Sequence, residues 1–553
     1  MERISGRPRS RPSLTALFAI AFAIITSIGI AAGDAAALPF KGVLTFHNDN
    51  ARDGVNAQET VLTPANVNST QFGKVFSYLV DGYVYAQPLY VPGVKIPGYG
   101  VHNIVYIATE HDSVYAFDAD GLVNTPLWQV SFIDPTNGIT TVPSADIDTD
   151  DITPEVGITG TPVIDPVGAI LYVVALTKIV DPNSQAVSYQ QKLHALSLAT
   201  GAEEFGGPVL INPQMAGTGA GSADGVIPFD ALTEGQRAAL LLVNHVVYVS
   251  FASHGDNPPY HGLVIAYGAN NLGQLAVFND TPDGSDGGIW QSGNGPAADA
   301  LGRIYIASGN GTFDFADGGL DLGDSIFKLA FSQRSGFTTK TYFTPYDQAF
   351  LSTNDLDFGD SGVLLFHNHQ RGPALLAVTV GKDGIIYLVN AAKMGGYNPS
   401  DNDQIVQALS GALGPHGVLA VAAFFDNTMY LDAYGHGLTG FRQRLGKFPA
   451  VANYQTTVSF QYPGTSPSIS AHGAKNAIVW TLDVGGFNTL SPTILYAFDS
   501  NLNELYDSTQ ASANRDQAGG AVKFTVPTIA NGRVYVGTES ELDVYGLLPA
   551  AAR

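Results

Sequence analysis

Cysteine is absent from this chain of 553 residues. Without a thiol the protein cannot form disulfide bonds, thiolate metal sites or a c-type haem attachment, and it cannot carry a lipid anchor on cysteine. A protein of this size without disulfides has to be stabilised by burial of apolar surface and by closure of its sheets.

Charge is also scarce, because only 14% of the residues are Asp, Glu, Lys or Arg. Within this small set, 49 acidic residues outnumber 26 basic ones, which gives a formal net charge of −23. Such a surface repels nucleic acid and anionic lipid, so neither is expected as a partner.

The chain has only one long apolar run, from residue 14 to residue 30. Small residues follow it, and a basic region precedes it, formed by Arg3, Arg7, Arg9 and Arg11. This order predicts a secretory signal over residues 1–37, and hence a secreted or periplasmic protein. The alternative is an uncleaved membrane anchor, since the run borders on the length of a span. Cleavage would leave a net charge of −25 and no further run able to cross a membrane.

Glycine, proline and aromatic residues are plentiful, with 62 Gly, 31 Pro and 10% Phe, Trp and Tyr. This composition favours many short strands joined by tight turns. One apolar strand pattern recurs eight times, 50 to 76 residues apart, centred on Tyr106, Tyr172, Tyr248, Tyr305, Val378, Tyr430, Trp480 and Tyr535. A third-strand pattern follows each of them, as in 115–118 (YAFD) and 495–499 (LYAFD). Radially repeated four-stranded sheets are the fold that such a repeat predicts.

We therefore predict an all-β protein with a single β-propeller over residues 38–553. Eight four-stranded blades fit the repeat, and seven is the alternative because the sixth and seventh units are the weakest. A proline lies near the start of several first strands, at Pro88, Pro162, Pro467 and Pro527. The early strands around Val43 and Val75 are expected to close the ring as outer strands of the last blade, which would remove exposed sheet edges.

Two parts of the chain resemble quinoprotein alcohol dehydrogenases, the enzymes that use pyrroloquinoline quinone (PQQ). The first is a repeat, carried by Thr161-Pro162-Val163, Leu171-Tyr172-Val173, His194-Ala195-Leu196 and Ala199-Thr200-Gly201. The second precedes the first blade and contains His47 to Arg52 and Leu62 to Val67. The resemblance covers nearly all of residues 41–547. It implies the propeller fold of that superfamily.

In a propeller, loops between second and third strands lie on the same ring face as the connections between blades. On that face the sequence places polar loops from three consecutive blades: 253–261, 308–311, 354–359 and 381–384. Their carboxylates and carboxamides are hard oxygen ligands of the kind that Ca²⁺ prefers. A carboxylate near such a cation can take a proton from an alcohol.

The resemblance implies a role for several of these residues. Trp290 would form the floor of the cofactor site, and Lys382 would contact the quinone. In Ser308-Gly309-Asn310 the resemblance makes Asn310 a calcium ligand beside the cofactor. In Asn354-Asp355-Leu356-Asp357 it makes Asp355 the catalytic base and a further calcium ligand. Asp256 and Asn257 stand where the family has its ligand Glu, and they complete the predicted metal set.

The sequence also departs from the family pattern. The ligand Glu is missing, Asn354 replaces the Trp before the catalytic Asp, and the cysteine pair over the quinone cannot exist. No haem domain is present, so electrons would have to pass to a separate acceptor.

Each loop also has a simpler interpretation. Gly-Asn-Gly and Lys-Asp-Gly are common hairpin turns, a lone Trp is more often core, and His254 and His261 would more often cap backbone groups. Residues 359–362 (GDSG) match a serine-protease tetrapeptide but specify neither a base nor an oxyanion hole. The acidic run 146–151 lacks the Gly and terminal Glu of an EF-hand loop, so we interpret it as a solvated loop.

Two functions follow from the sequence. The first is an exported quinoprotein-dehydrogenase-like propeller that oxidises an alcohol or sugar with PQQ and Ca²⁺ at the channel mouth. The alternative is a non-catalytic propeller that binds a protein or glycan. Fold alone does not decide between them.

Overall fold

The computed structural model describes residues 40–489 and 491–549. The chain divides into Met1–Phe40 and Lys41–Arg553, and every element below lies in the second part. Short strands dominate, as the composition predicts. The two α-helices among the described residues are short, four residues in Ser144–Ile147 and six in Gln348–Thr353. No helix in this part of the chain is long and apolar enough to cross a membrane.

Eight four-stranded antiparallel sheets form the blades of a propeller, so the predicted fold is confirmed. Within each blade we name the strands inner, second, third and outer. The strands of the first four blades are, for blade 1, Leu89–Ile96, Gly100–Ala108, Ser113–Asp118 and Trp128–Ser131; for blade 2, Val163–Asp165, Ile170–Val180, Val187–Ser197 and Val209–Leu210; for blade 3, Leu241–Val243, Val246–Ser253, Leu263–Gly268 and Gln274–Asn279; and for blade 4, Ala297–Ala298, Ile304–Ala307, Ile326–Ser332 and Gly336–Thr344.

The remaining blades follow the same order. Their strands are, for blade 5, Leu364–His367, Leu375–Val380, Ile386–Asn390 and Gln407–Leu409; for blade 6, Ala423–Phe425, Thr428–Leu431, Thr439–Arg442 and Tyr454–Gln455; for blade 7, Ser468–His472, Lys475–Asp483, Ile494–Asp499 and Glu504–Asp507; and for blade 8, Thr528–Ala530, Arg533–Gly537, Glu541–Leu547 and Phe72–Leu79. The sixth and seventh blades, the weakest in the sequence, are both complete.

Short additional strands extend some of these sheets or pair with one another. They are Val55–Asn56, Ile139–Thr140, Val142–Pro143, Glu155–Val156, Gln214–Ala216, Val226–Pro228, Glu234–Gly235 and Gly396–Tyr397. Single 3₁₀ turns lie in the connections, at Pro135–Asn137, Gln291–Gly293, Phe315–Asp317, Phe487–Thr489 and Ser512–Asn514. The four prolines singled out in the sequence each immediately precede an inner strand, where a missing N–H costs the ladder nothing.

The recurring tyrosine of the second strand joins neighbouring blades. In five blades its hydroxyl donates a hydrogen bond to the carbonyl of the residue that directly follows the third strand of the next blade. These bonds run from Tyr106 to Leu198, Tyr172 to Ala269, Tyr305 to Ala391, Tyr430 to Ser500, and Tyr535 to Ala119. The Tyr535 bond joins blade 8 to blade 1. The repeat is therefore visible in the sequence partly because each buried hydroxyl needs this partner.

The N-terminal part of the described chain closes the ring in two ways. Phe72–Leu79, which contains Val75, is the outer strand of blade 8, as predicted. The prediction for Val43 was wrong, because it forms a single antiparallel bridge with Tyr90 in the inner strand of blade 1. Val43 is 1% exposed, and its burial at the channel wall removes it from the outer rim.

Residues 43–56, which we call the axial segment, contact the inner strand of every blade. In blade order, the hydrogen-bonded pairs are Val43–Tyr90, Leu44–Ile164, Asn50–Leu242, Asn50–Ala298, Ala51–Leu365, Asp53–Phe424, Gly54–Ile469 and Asn56–Ile529. The side chain of Arg52 is completely buried within this segment. The axial segment thus fills the centre of the ring and links all eight blades.

Candidate functional site

A cavity of about 480 Å³ lies where the connections of several blades converge. Its walls come from segments that lead into or belong to blades 2 to 8, including residues 252–256, Tyr260 and parts of the loops 288–291 and 355–360. Residues so far apart in the chain can meet only around the ring axis. The cavity therefore occupies the channel mouth on the face where the sequence placed its polar loops.

Four side chains from blades 4 and 5 form one polar network at this mouth. Lys382 Nζ lies 2.9 Å from Asp355 Oδ1 and 2.5 Å from Asp357 Oδ2. The Asn310 side-chain amide donates to the same Asp355 Oδ1 at 2.9 Å, and its backbone N–H donates to Asp357 Oδ1 at 2.7 Å. The network therefore fixes the Asp355 carboxylate by two donors on one oxygen.

Local backbone geometry makes these contacts possible. Asp355 follows the helical turn Gln348–Thr353 and has a φ of 53°, a conformation that Asp tolerates better than most residues. Gly309 allows the close approach of the two loops, because a Cβ at that position would lie 2.5 Å from Asp357 Oδ1. The Gly-Asn pair in this loop is thus required by packing against a neighbouring blade, in addition to its turn.

Electrostatics keep Lys382 charged. Burial lowers the pKa of Lys382, but the carboxylates of Asp360 and Asp357 outweigh this effect and raise it above its usual value. Burial, with the charge of Asp357, raises the pKa of Asp360 well above its ordinary range. Asp355 differs from Asp360 in that its side chain is 70% exposed. It is thus the carboxylate of this group that a ligand in the cavity can reach.

The remaining predicted residues are placed unequally. Trp290 lines the cavity, and its ring meets that of Phe524 edge-on at 5.1 Å. Asp256 also lines it and accepts hydrogen bonds from Ser253 and Tyr260, both at 3.3 Å. Partial burial and the charge of Asp357 raise the pKa of Asp256.

Asn257 lies apart from the predicted metal set. Its amide donates to the carbonyl of Ile147 at 3.0 Å, and it is not part of the cavity wall described above. Of the four predicted calcium ligands, Asn310 and Asp355 are in contact, Asp256 faces the same cavity and Asn257 points elsewhere.

The donor set does not fit calcium as it is arranged. Among residues 40–489 and 491–549, no three His, Asp or Glu side chains converge to hold a metal ion. The point between Asp355 and Asp357 is taken by the Lys382 ammonium group. Ca²⁺ needs six to eight oxygen ligands, and here a covalently attached cation already neutralises the two carboxylates.

Several residues of the cavity wall were not predicted from the sequence. Arg237, Lys523 and Phe524 belong to no recognisable motif, and only the ring brings them to the site. Two discounted motifs each contribute one side chain: Asp360 from the tetrapeptide 359–362, and Asp151 from the acidic run. His254 is also present, and burial lowers its pKa to about 4, so its imidazole is neutral at pH 7.

Glu110 lies behind the cavity wall and yields a prediction about pH. It is fully buried and accepts hydrogen bonds from the Gly157 N–H and from the hydroxyl of Thr159, which lines the cavity. Burial raises its pKa from 4.5 to about 7. Between these pH values the folded protein retains a proton that the unfolded chain loses, so folding becomes less stable as the pH rises.

Replacing Glu110 by Gln should remove this loss, because the amide oxygen keeps both hydrogen bonds and never ionises. We expect the Glu110→Gln variant to gain, relative to wild type, on the order of 3 kcal/mol in free energy of unfolding between pH 4.5 and pH 8. Urea unfolding at the two pH values measures this difference. Parallel pH profiles for the two proteins would contradict it.

Comparisons with known proteins support the fold. No protein-family model matches the chain, and no curated protein matches it. Among solved structures, the quinohemoprotein alcohol dehydrogenase from Comamonas testosteroni is similar, with a TM-score of 0.58 and 14% identity over 94% of this chain and 82% of that one. Quinohemoprotein alcohol dehydrogenase ADHIIG from Pseudomonas putida HK5 is similar with a TM-score of 0.55 and 13% identity, over 93% of this chain and 82% of that one. For BamB from Moraxella catarrhalis the TM-score is 0.46 and the identity 12%, over 87% of this chain and 99% of that one. The chain thus shares its eight-bladed propeller fold with quinohemoprotein alcohol dehydrogenases at low sequence identity.

Proposed function

We propose that this protein is an exported oxidoreductase that binds PQQ in the channel-mouth cavity and oxidises a small alcohol or sugar. The observation that carries this proposal is the Asp355 carboxylate, exposed to the cavity and held through one oxygen by Lys382 and Asn310. Within the described residues no hydrogen bond reaches its second oxygen, Oδ2. A fixed carboxylate with one free oxygen is the group required to accept a proton from a substrate hydroxyl.

The cavity chemistry fits a planar quinone that carries carboxylates. Trp290 supplies an aromatic surface, and the three cationic side chains in the wall are Arg237, Lys382 and Lys523. Several buried polar atoms here have no partner within the described chain, among them His254 Nε2 and Asp360 Oδ2. Such atoms are costly unless a polar ligand satisfies them. When bound, PQQ would supply the acceptor for the two electrons of the alcohol.

The protein's own residues would then orient the substrate and hold its proton. Lys382 and Asn310 keep Asp355 Oδ1 occupied, so that Oδ2 is the oxygen available to the substrate hydroxyl. The cavity is large enough for a small alcohol or a sugar. The electrons would then pass to a separate acceptor. Calcium has no part in this scheme, because the side chains do not fit it.

Equilibrium titration with PQQ tests this proposal. Trp290 is one of three tryptophans, so quinone bound beside it should quench fluorescence saturably at micromolar concentrations, with or without added Ca²⁺. A Trp290→Phe variant should lose most of the quenching, and a Trp128→Phe variant in blade 1 should retain it. No saturable binding at micromolar PQQ would refute the proposal.

A second candidate is a non-catalytic propeller that binds a glycan or a protein at the same mouth. It is favoured by the Lys382 ion pairs, which neutralise Asp355 and Asp357, and by Tyr434 and Tyr462 in the wall, whose rings are in edge-on contact at 5.7 Å. Tyr462 is 46% exposed, and such rings suit the apolar face of a sugar. Saturable glycan binding without PQQ, abolished by Tyr462→Ala, would support this function.

A further inference from the structure

Two arginines are buried in the centre of the ring, and their surroundings differ. Arg52, in the axial segment, is 0% exposed and makes five hydrogen bonds of 2.7–3.3 Å to the Thr45 hydroxyl and to backbone carbonyls of Phe46, Leu240 and Pro296. Its guanidinium donors are thus satisfied by the protein. The fold itself explains why Arg52 is there.

Arg237 has no comparable partners. It is 4% exposed, and its one hydrogen bond is long, 3.5 Å from Nη2 to the Ser292 carbonyl. Its Nε is buried without a partner, and no carboxylate in the described chain lies within ion-pair distance. A guanidinium has five N–H donors, and leaving such a group buried and unpaired is costly. The hydrogen bonds and ion pairs of the fold therefore do not account for the burial of the Arg237 guanidinium.

The surroundings hold Arg237 in place at the cavity wall. The guanidinium carbon lies over the rings of Tyr85 and Phe524, at 5.9 and 5.6 Å from their centroids. Gly293, with φ of 87°, leaves room for it, because a Cβ there would lie 2.4 Å from Nη1. Aromatic faces and a glycine thus hold the guanidinium while leaving most of its hydrogen-bond donors unused.

A second cation also lies near the ring of Phe524. Lys523 is 6% exposed, and its Nζ lies 5.8 Å from the centroid of Phe524 and 5.4 Å from that of Phe487. Within residues 40–489 and 491–549 it forms no ion pair. Both cations line the cavity, on a side built by blades 3 and 8, whereas Asp355 and Lys382 belong to the blade 5 side.

We propose that Arg237 and Lys523 form an anion-binding subsite that takes a carboxylate group of the bound ligand. The cavity then has two poles: a carboxylate pole at Asp355 that receives a hydroxyl, and a cationic pole that receives an anion. The carboxylate can come from the quinone, in which case the inference rests on the proposed function, or from a substrate such as a sugar acid. In either case Arg237 pairs bidentately with the carboxylate, and Lys523 contributes a second charge.

Paired ligands distinguish the two sources. In calorimetric titrations of the full chain, the probes are PQQ against its trimethyl ester, and glucuronate against glucose, which lacks the carboxylate. If the quinone supplies the anion, PQQ should bind at least tenfold more tightly than its ester, and Arg237→Met should weaken PQQ about 10- to 100-fold. If a substrate supplies it, glucuronate should bind more tightly than glucose, and Arg237→Met should abolish that difference even where PQQ does not bind.

The exposed residue Arg334, in the turn between the third and outer strands of blade 4, provides the matched control, and Arg334→Met should leave all four affinities unchanged. Stability without ligand gives an independent measurement: because Arg237 has no ion pair within the described chain and only one long hydrogen bond, Arg237→Met should raise the urea midpoint of unfolding. The proposal is overturned if no carboxylate probe shows Arg237-dependent binding, or if Arg237→Met lowers the midpoint. Failure of PQQ alone, with Arg237-dependent binding of glucuronate, would refute the quinone and retain the subsite.

Discussion

Replacing Asp355 by Asn is expected to lower kcat for dye-linked alcohol or sugar oxidation by about 10²- to 10⁴-fold, the range of a lost general base. The amide oxygen can still accept from Lys382 and Asn310, so the network should persist. An amide cannot take the substrate proton. PQQ affinity should therefore remain within a few fold of wild type, while turnover disappears.

The matched control is Asp401→Asn, at an exposed carboxylate between the third and outer strands of blade 5, which should leave turnover unchanged. Rates and quinone affinities are measured on the same preparations, so that loss of cofactor is separated from loss of chemistry. If Asp355→Asn oxidises substrate at the wild-type rate, Asp355 is not the base.

Replacing Arg52 by Ala should produce the largest loss of stability of any single substitution considered. It removes five hydrogen bonds and leaves the carbonyls of Phe46, Leu240 and Pro296 buried without this donor. These carbonyls belong to the axial segment and to the edges of blades 3 and 4. We expect a decrease of about 4 kcal/mol or more in free energy of unfolding, measured by urea at 25 °C.

Two further variants serve as comparisons for Arg52→Ala. Arg52→Lys keeps the charge but loses the planar fork, so its loss should be intermediate, and Arg334→Ala on the surface should have no effect. Arg52→Ala should thus lower the stability of the fold, whereas Arg237→Met should raise it, although both arginines are buried. An Arg52→Ala protein as stable as wild type would show that the axial segment does not hold the blades together.

Much of the fold was predictable because each blade solves the same physical problem. The second strand must be apolar to lie between neighbours, and its tyrosine must find a carbonyl on the next blade, so the pattern returns around the ring. The path of Val43 was not predictable, because a lone apolar residue satisfies an outer strand and a channel wall equally well. Only the contacts of the axial segment with eight separate blades distinguish the two.

The candidate site was predictable where short loops carry distinctive polar residues. Asp355, Lys382, Asn310, Trp290 and Asp256 were selected from the sequence, and the structure brings them to one cavity or its edge. Their proposed roles remain predictions.

Other members of the site were beyond sequence reasoning. Arg237 lies in an unremarkable stretch before blade 3. What marks it is a buried guanidinium with no ion pair and only one long hydrogen bond within the described fold, which no sequence pattern reveals. Asn257 was also selected from the sequence, and in the structure its amide donates to the carbonyl of Ile147. Its metal role stays a prediction.

A crystal structure of the protein grown with PQQ tests the proposed cofactor site most directly. We expect the quinone in the channel-mouth cavity, beside Trp290, with one carboxylate on Arg237 and with Asp355 Oδ2 facing the space left for substrate. Quinone bound elsewhere on the propeller, or a cavity that stays empty at saturating PQQ, would contradict this expectation.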